Sequence, residues 1–303
     1  MTRLTAVLAM PLTTAILIAA AAPPSTPAPI DPAKVNIETT TLAPGVAVLF
    51  GAGGNIGVSY GVDGTILIDD QFAPLTPKIL AATQALDKKP VKFVLNTHWH
   101  FDHSGGNENL AKQGSVIVAH DNVRRRMSAE GFIEELNLKF PASPKAALPV
   151  VTFAQGVSLH LNDDTLKVVH VRAAHTDGDA LVKWEKANVL HMGDVFNRAG
   201  APFVDRASGG SVAGTIAAMD VGLSLADDAT KVIPGHGPMS TKADMKAYRD
   251  ALAAFDARIA AEVKSGKTQD QILALKLTWK AASGDVPADR LVRSTFQDLT
   301  AKK

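Results

Sequence analysis

The chain predicts an α/β fold of two β-rich halves, each followed by helices, with two mixed sheets packed face to face and the helices outside. Three observations predict it. Short apolar runs separated by glycine- and aspartate-containing turns fill both halves, helical spacing follows each half, and potential metal ligands recur where strands end.

The first half opens with apolar runs at residues 46–50, 56–60 and 65–69, with Gly51, Gly53, Gly54, Gly61, Asp63 and Gly64 between them, a β-meander pattern. Residues 77–86 carry Ile79, Leu80, Ala82 and Leu86 at helical spacing, and residues 107–113 read as a short helix. Strands are expected at 91–97 and 116–119. In the second half they are expected at 157–161, 166–171, 180–184, 189–192 and 231–233. Residues 214–225 and 243–263 read as helices, and the remainder, 269–282 and 289–301, reads as helical with one apolar face. Residues 131–149 and 196–210 read as loops able to shape a pocket.

With 303 residues, 46% apolar and 20% charged, the chain can bury a large core. Its net charge of +1 gives no basic stripe for nucleic acid, so a small-molecule substrate is the expected partner. Residues 1–22 read as an export signal, with Arg3 before an Ala- and Leu-rich stretch and small residues Ala19 to Ala22 as the processing region. A membrane anchor is the alternative for that stretch. The weak apolarity of alanine and the presence of Pro11 favour a cleaved signal, leaving no stable membrane association and a periplasmic or secreted protein. Residues 23–40 read as a proline-rich linker and 41–303 as the folded domain. The absence of Cys removes disulfides, thiolate ligands and thiolate nucleophiles.

The chemistry is concentrated in His98-Trp99-His100-Phe101-Asp102-His103, directly after an apolar run. A strand period of two puts His98 and His100 on one side, and the following turn can return Asp102 and His103 to the same point. Neutral imidazole and carboxylate suit zinc, with iron and manganese accepting the same donors. His175, Asp194 and His236 each follow a predicted strand with glycine close by, which lets backbone approach a metal.

This order of residues, HxHxDH followed by distant His, Asp and His, resembles the metallo-β-lactamase superfamily over residues 46–236. The resemblance implies an αββα sandwich with a dinuclear site between the sheet edges. His98, His100 and His175 would hold one Zn2+. Asp102, His103 and His236 would hold the second, with Asp194 bridging. It implies hydrolysis of a small ester, lactone or lactam by a hydroxide bridging two ions roughly 3.5–4 Å apart, with Asp102 orienting the nucleophile or passing a proton. The lack of Cys departs from thiolate-ligand β-lactamases, and Asp194 points to the glyoxalase II, lactonase and generic hydrolase branches. His100 departs from the redox di-iron relatives, which carry Glu there. His175-Thr176-Asp177-Gly178 is also similar to persulfide dioxygenases, which keeps a mononuclear iron oxidoreductase as the alternative. A non-catalytic metal-binding protein is a third reading.

Asn197 and Ser211 are candidates to donate to an oxyanion. Arg124, Arg125 and Arg126 read as a solvated helix face, and Trp99 and Phe101 as packing behind the ligands. His120, His160 and His170 read as structural, and His191 as a support for Asp194.

Overall fold

The computed structural model describes residues 23–301 and forms an αββα sandwich. The first sheet has seven strands: β1 (Glu38–Ala43), β2 (Val46–Phe50), β3 (Ile56–Ser59), β4 (Thr65–Ile68), β5 (Val91–Leu95), β6 (Val116–His120) and, across a lid, β9 (Val151–Phe153). The lid hairpin between the last two is β7 (Gly131–Ile133) with β8 (Leu138–Phe140). The second sheet has five strands: β10 (Gly156–Leu161), β11 (Asp164–His170), β12 (Ala180–Trp184), β13 (Val189–His191) and β14 (Lys231–Ile233). Both sheets are mixed. In the first, β4, β5, β6 and β9 run parallel; in the second, only β13 and β14 do.

Strand alternation builds the layers. Val46, Val48, Ile66 and Ile68 face Leu166, Val168, Val182 and Trp184 in the inter-sheet core. Their neighbours Ala47, Leu49 and Leu67 point outward, under the helix α1 (Thr76–Leu86), whose Ile79 is buried against them. Leu181, Leu190 and Val232 leave the other sheet to meet helices α5 (Val212–Leu225) and α6 (Lys242–Lys264). Three short helices sit beside the first sheet: α2 (Phe101–Ser104), α3 (Asn107–Ala111) and α4 (Asp121–Met127).

The C-terminal region departs from the helical expectation for residues 269–282. Helix α7 (Gln269–Leu273) stops after five residues, Lys276 takes a left-handed φ of 49°, and β15 (Thr278–Ala281) pairs with β16 (Gly284–Pro287). Trp279 and Ala281 are buried while Thr278 and Lys280 are exposed, a period of two that fixes a strand. Helix α8 (Asp289–Thr300) then follows as expected.

The stretch read as a linker is partly built into the fold. β1 begins at Glu38, Ile30, Val35 and Ile37 pack on the first sheet's outer cluster, and Ser25 pairs with Leu138 of the lid. The export signal lies outside the described residues. No helix among the described residues is long and apolar enough to cross a membrane.

Trp184 is fully buried between the sheets. Truncating such a ring leaves a cavity that the surrounding strands cannot close, so Trp184→Ala is expected to lower unfolding free energy by about 3–5 kcal/mol in urea titrations.

Candidate metal centre

The parallel strands end at one level, since Ile68 pairs with Leu95, Leu95 with Val118, and His191 with Ile233. Everything that follows those ends therefore meets at one edge. After β5 come Asn96, Thr97 and His98; after β13, Gly193 and Asp194; after β14, Pro234, Gly235 and His236. Two backbone bonds join the halves there: Ala180 N–H donates to Thr97 O at 2.9 Å, and Asn55 N–H to Gly235 O at 2.7 Å.

All seven predicted ligands converge. His98, His100 and His175 form one donor group, His98, His103 and Asp194 a second, and Asp102, His103 and His236 a third, with donor atoms in each within 4.8 Å of one another. His98, His100, His103, His175 and Asp194 are buried, while Asp102 and His236 are each 20% exposed and face the cleft. Asp194 lies between the groups, 3.2 Å from His103 Nε2 by one oxygen and 3.2 Å from His236 Nε2 by the other. Two glycines make this approach feasible. A Cβ on Gly235 would sit 2.0 Å from Asp194 Oδ1, and one on Gly54 would sit 2.1 Å from the His103 ring.

His98 Nε2 is buried with no hydrogen-bond partner and Asp194 Oδ1 is buried with only the His103 Nε2 contact at 3.2 Å, although polar groups in such places are normally paired. His175 Nε2 faces His100 Nδ1 at 2.9 Å, two ring nitrogens aimed at a common point. A divalent cation fits these donors, and imidazole with carboxylate suits zinc first, then iron or manganese.

Electrostatics divides the groups. Burial, reinforced by the neighbouring rings of His103, His175 and His100, holds His98 well below the usual imidazole range. Burial and His100 hold His175 at about 4. Both are neutral at pH 7, with lone pairs free to bind a cation. Burial would likewise lower His103, but Asp194, Asp102 and Asp69 outweigh it and raise that imidazole well above its ordinary value. Asp194 and Asp102 overcome burial at His236 and push it to about 10. Reciprocally, burial would raise Asp102, yet His103 and His236 hold it at about 2; His236 and His103 similarly keep Asp194 well below the carboxylate range. Without a cation, protons on His103 and His236 balance the two carboxylates; binding must displace them.

Supporting groups fix the rings. Asp205 Oδ2 lies 2.9 Å from His100 Nε2, Phe203 O accepts from His175 Nδ1 at 2.6 Å, and Asp69 Oδ2 lies 2.8 Å from His103 Nδ1. Asp69 adopts a left-handed φ of 67° and also accepts from the backbone N–H and hydroxyl of Thr97. One carboxylate thus braces His103 and the residue before His98. Sequence reasoning missed both aspartates. Asp69 had a usable signal, since it too follows a strand end.

Other expectations divide. His191 supports the loop of Asp194, accepting from Gly193 N–H at 3.1 Å and bonding Asn55 O by its other nitrogen. His120 caps α4 and stacks on His170 at 3.6 Å, and His160 bonds Thr165 on the surface, so all three are structural. Trp99 packs behind the ligands and donates to Ser208 Oγ, whereas Phe101 also lines the cleft. Ser211 is not an oxyanion donor: its hydroxyl caps α5 by accepting from Gly214 N–H and donates to Ala173 O. Arg124 and Arg125 are exposed, as expected of a solvated face, and the three arginines also make specific bonds. Arg125 and Arg126 both bind Asp177, anchoring the His175 loop to α4, and Arg124 donates to Pro149 O. Asp177 is therefore a tether.

The cleft above the ligands has a volume of about 600 Å³. Ile133 and Leu136 of the lid and residues 197 and 199–203 form its walls, so both segments read as pocket-shaping loops line it.

The profile of the metallo-beta-lactamase superfamily matches residues 49–236. The chain belongs to that superfamily. Its fold is similar to a metallo-beta-lactamase from Pontibacter korlensis (TM-score 0.59, 20% identity, 72% of this chain and 99% of that one). It is also similar to the mono-zinc form of the metallo-beta-lactamase FIM-1 from Pseudomonas aeruginosa (TM-score 0.57, 22% identity, 73% and 96%). A third likeness is to the stereoselective inverting sec-alkylsulfatase Pisa1 from Pseudomonas sp. (TM-score 0.65, 16% identity, 88% of this chain and 51% of that one). No curated protein matches the sequence.

Asp205→Ala frees the His100 ring without removing a ligand. It is expected to weaken zinc binding by about 10- to 100-fold in competition with a chelating dye, while far-UV circular dichroism stays native. An unchanged affinity would show that Asp205 does not orient the ligand.

Proposed function

We propose that the chain is an exported di-zinc hydrolase that cleaves a small ester, lactone or lactam. The observation that carries this reading is a chain of three overlapping donor groups, the first two sharing His98 and the last two sharing His103, with Asp102, Asp194 and His236 lining a largely apolar cleft. About 600 Å³ is the size of a small-molecule site and leaves no track for a polymer. Export rests on the N-terminal sequence.

Bound divalent ions would supply Lewis acidity and a water of lowered pKa. The chain's own residues arrange the rest. His98, His100 and His175 would hold one ion, Asp102, His103 and His236 the other, and Asp194 both. Asp102 reaches both the ligand cluster and the cleft, and its ionised carboxylate can orient an attacking water or carry a proton to the leaving group. The Asn197 Oδ1 is occupied by Ala199 and Gly200 N–H, which fixes the carboxamide at the cleft wall and leaves its NH2 to donate to a developing oxyanion.

The alternative, a mononuclear iron oxidoreductase, is disfavoured by the second donor group around His236 and by Asp177, which is occupied with Arg125 and Arg126.

Metal-quantified protein is expected to hydrolyse at least one of nitrocefin, an acyl-homoserine lactone, a thioester or a 4-nitrophenyl ester, without oxygen uptake. Asp194→Ala should abolish that turnover, and Asn197→Ala should lower kcat by about 100-fold with little change in KM. Oxygen consumption with one bound iron, or zinc binding with no hydrolysis across the panel, would refute the reading.

A further inference from the structure

One wall of the cleft comes from a part of the chain that contributes no ligand. Val286, Pro287, Asp289 and Arg290, from the end of β16 and the start of α8, line the same cavity as His100, Asp194 and His236. This wall is rigidly placed: Ala288 N–H donates to Leu277 O at 3.0 Å, and Leu291 and Val292 are buried directly after Arg290. The rest of the lining is chiefly apolar, with Phe101, Ile133, Leu136 and Phe203 opposite.

Arg290 is the only Lys or Arg among the lining residues. It is exposed, and among the described residues it forms no ion pair or hydrogen bond, not even with its neighbour Asp289. Arg172, Arg258 and Arg293 likewise have no ion pair among the described residues, but none of them lines this cavity, whereas Arg125, Arg126, Arg198, Arg206 and Arg249 are each paired with an aspartate. A planar cation lining the same, largely apolar cavity as the candidate ligands is suited to a carboxylate carried by the substrate away from its scissile bond.

We propose that Arg290 is a specificity-determining residue that selects substrates with an apolar body and a remote anionic group, a carboxylate above all. This rests on the hydrolase reading for its reaction but not for its binding step. The apolar walls take the substrate body, the ligand cluster takes the scissile carbonyl, and the guanidinium forks onto the carboxylate.

Two matched pairs of probes test it on the zinc-loaded protein. The first is the 4-nitrophenyl monoester of adipic acid against its neutral methyl diester, read as the ratio of kcat/KM values. The second is 4-phenylbutanoate against 4-phenylbutanamide, read as the ratio of Kd values by calorimetry. Arg290→Ala is expected to reduce the preference for the anionic member by about tenfold in both ratios, acting on KM rather than kcat, with Arg290→Lys restoring part of it. Arg293→Ala, on the same helix outside the cleft, should leave both ratios as they are. Ratios unchanged in Arg290→Ala would overturn the proposal even with hydrolysis intact. If neither ester is cleaved, the calorimetric ratio alone decides the role of Arg290, and the hydrolase reading stands or falls on the wider substrate panel.

Discussion

The constraint on which the structure depends is the charge balance at one sheet edge. Four buried imidazoles, the cleft-facing His236 and the carboxylates Asp102 and Asp194 are drawn into a space where neither sign is stable alone. Burial disfavours every charged form, and each charged group is retained only because an opposite charge lies about 3–4 Å away. The result is a site in which the buried His98 Nε2 has no protein partner. A bound divalent cation would resolve this frustration and so link stability to occupancy.

The scaffold answers to that constraint. Parallel pairing of β4, β5 and β6 and of β13 and β14 aligns strand ends, so residues far apart in sequence leave the sheets together. Asp69, His191 and Asn55 then stitch the loops, with Asn55 Nδ2 donating to Pro234 O and Gly237 O on either side of the Gly235-His236 turn. The left-handed Asp69 is a local cost accepted where its carboxylate serves both Thr97 and His103.

Much of this was legible in the sequence. The four ligands of residues 98–103 stand together and announce themselves, and the two layers follow from alternating apolar runs. His175, Asp194 and His236 were found because each pairs a strand end with glycine, in an order that a known family shares. What stayed hidden was long-range or lacked spacing. Asp205 lies in an irregular loop 105 residues from His100, and Asp177 binds Arg126 across 51 residues. No local pattern encodes either. The residues 269–282 misled for a different reason, since helical and strand periods agree over a short amphipathic stretch until the left-handed Lys276 breaks it. Arg290 was invisible because its relevance depends on α8 folding back to the cleft.

The decisive measurement is anomalous diffraction at the zinc absorption edge from a crystal of the zinc-loaded protein. Two peaks are expected, one within coordination distance of His98, His100 and His175 and one of Asp102, His103 and His236, with Asp194 touching both. Strong anomalous density elsewhere on the molecule, with none between these side chains, would contradict the account.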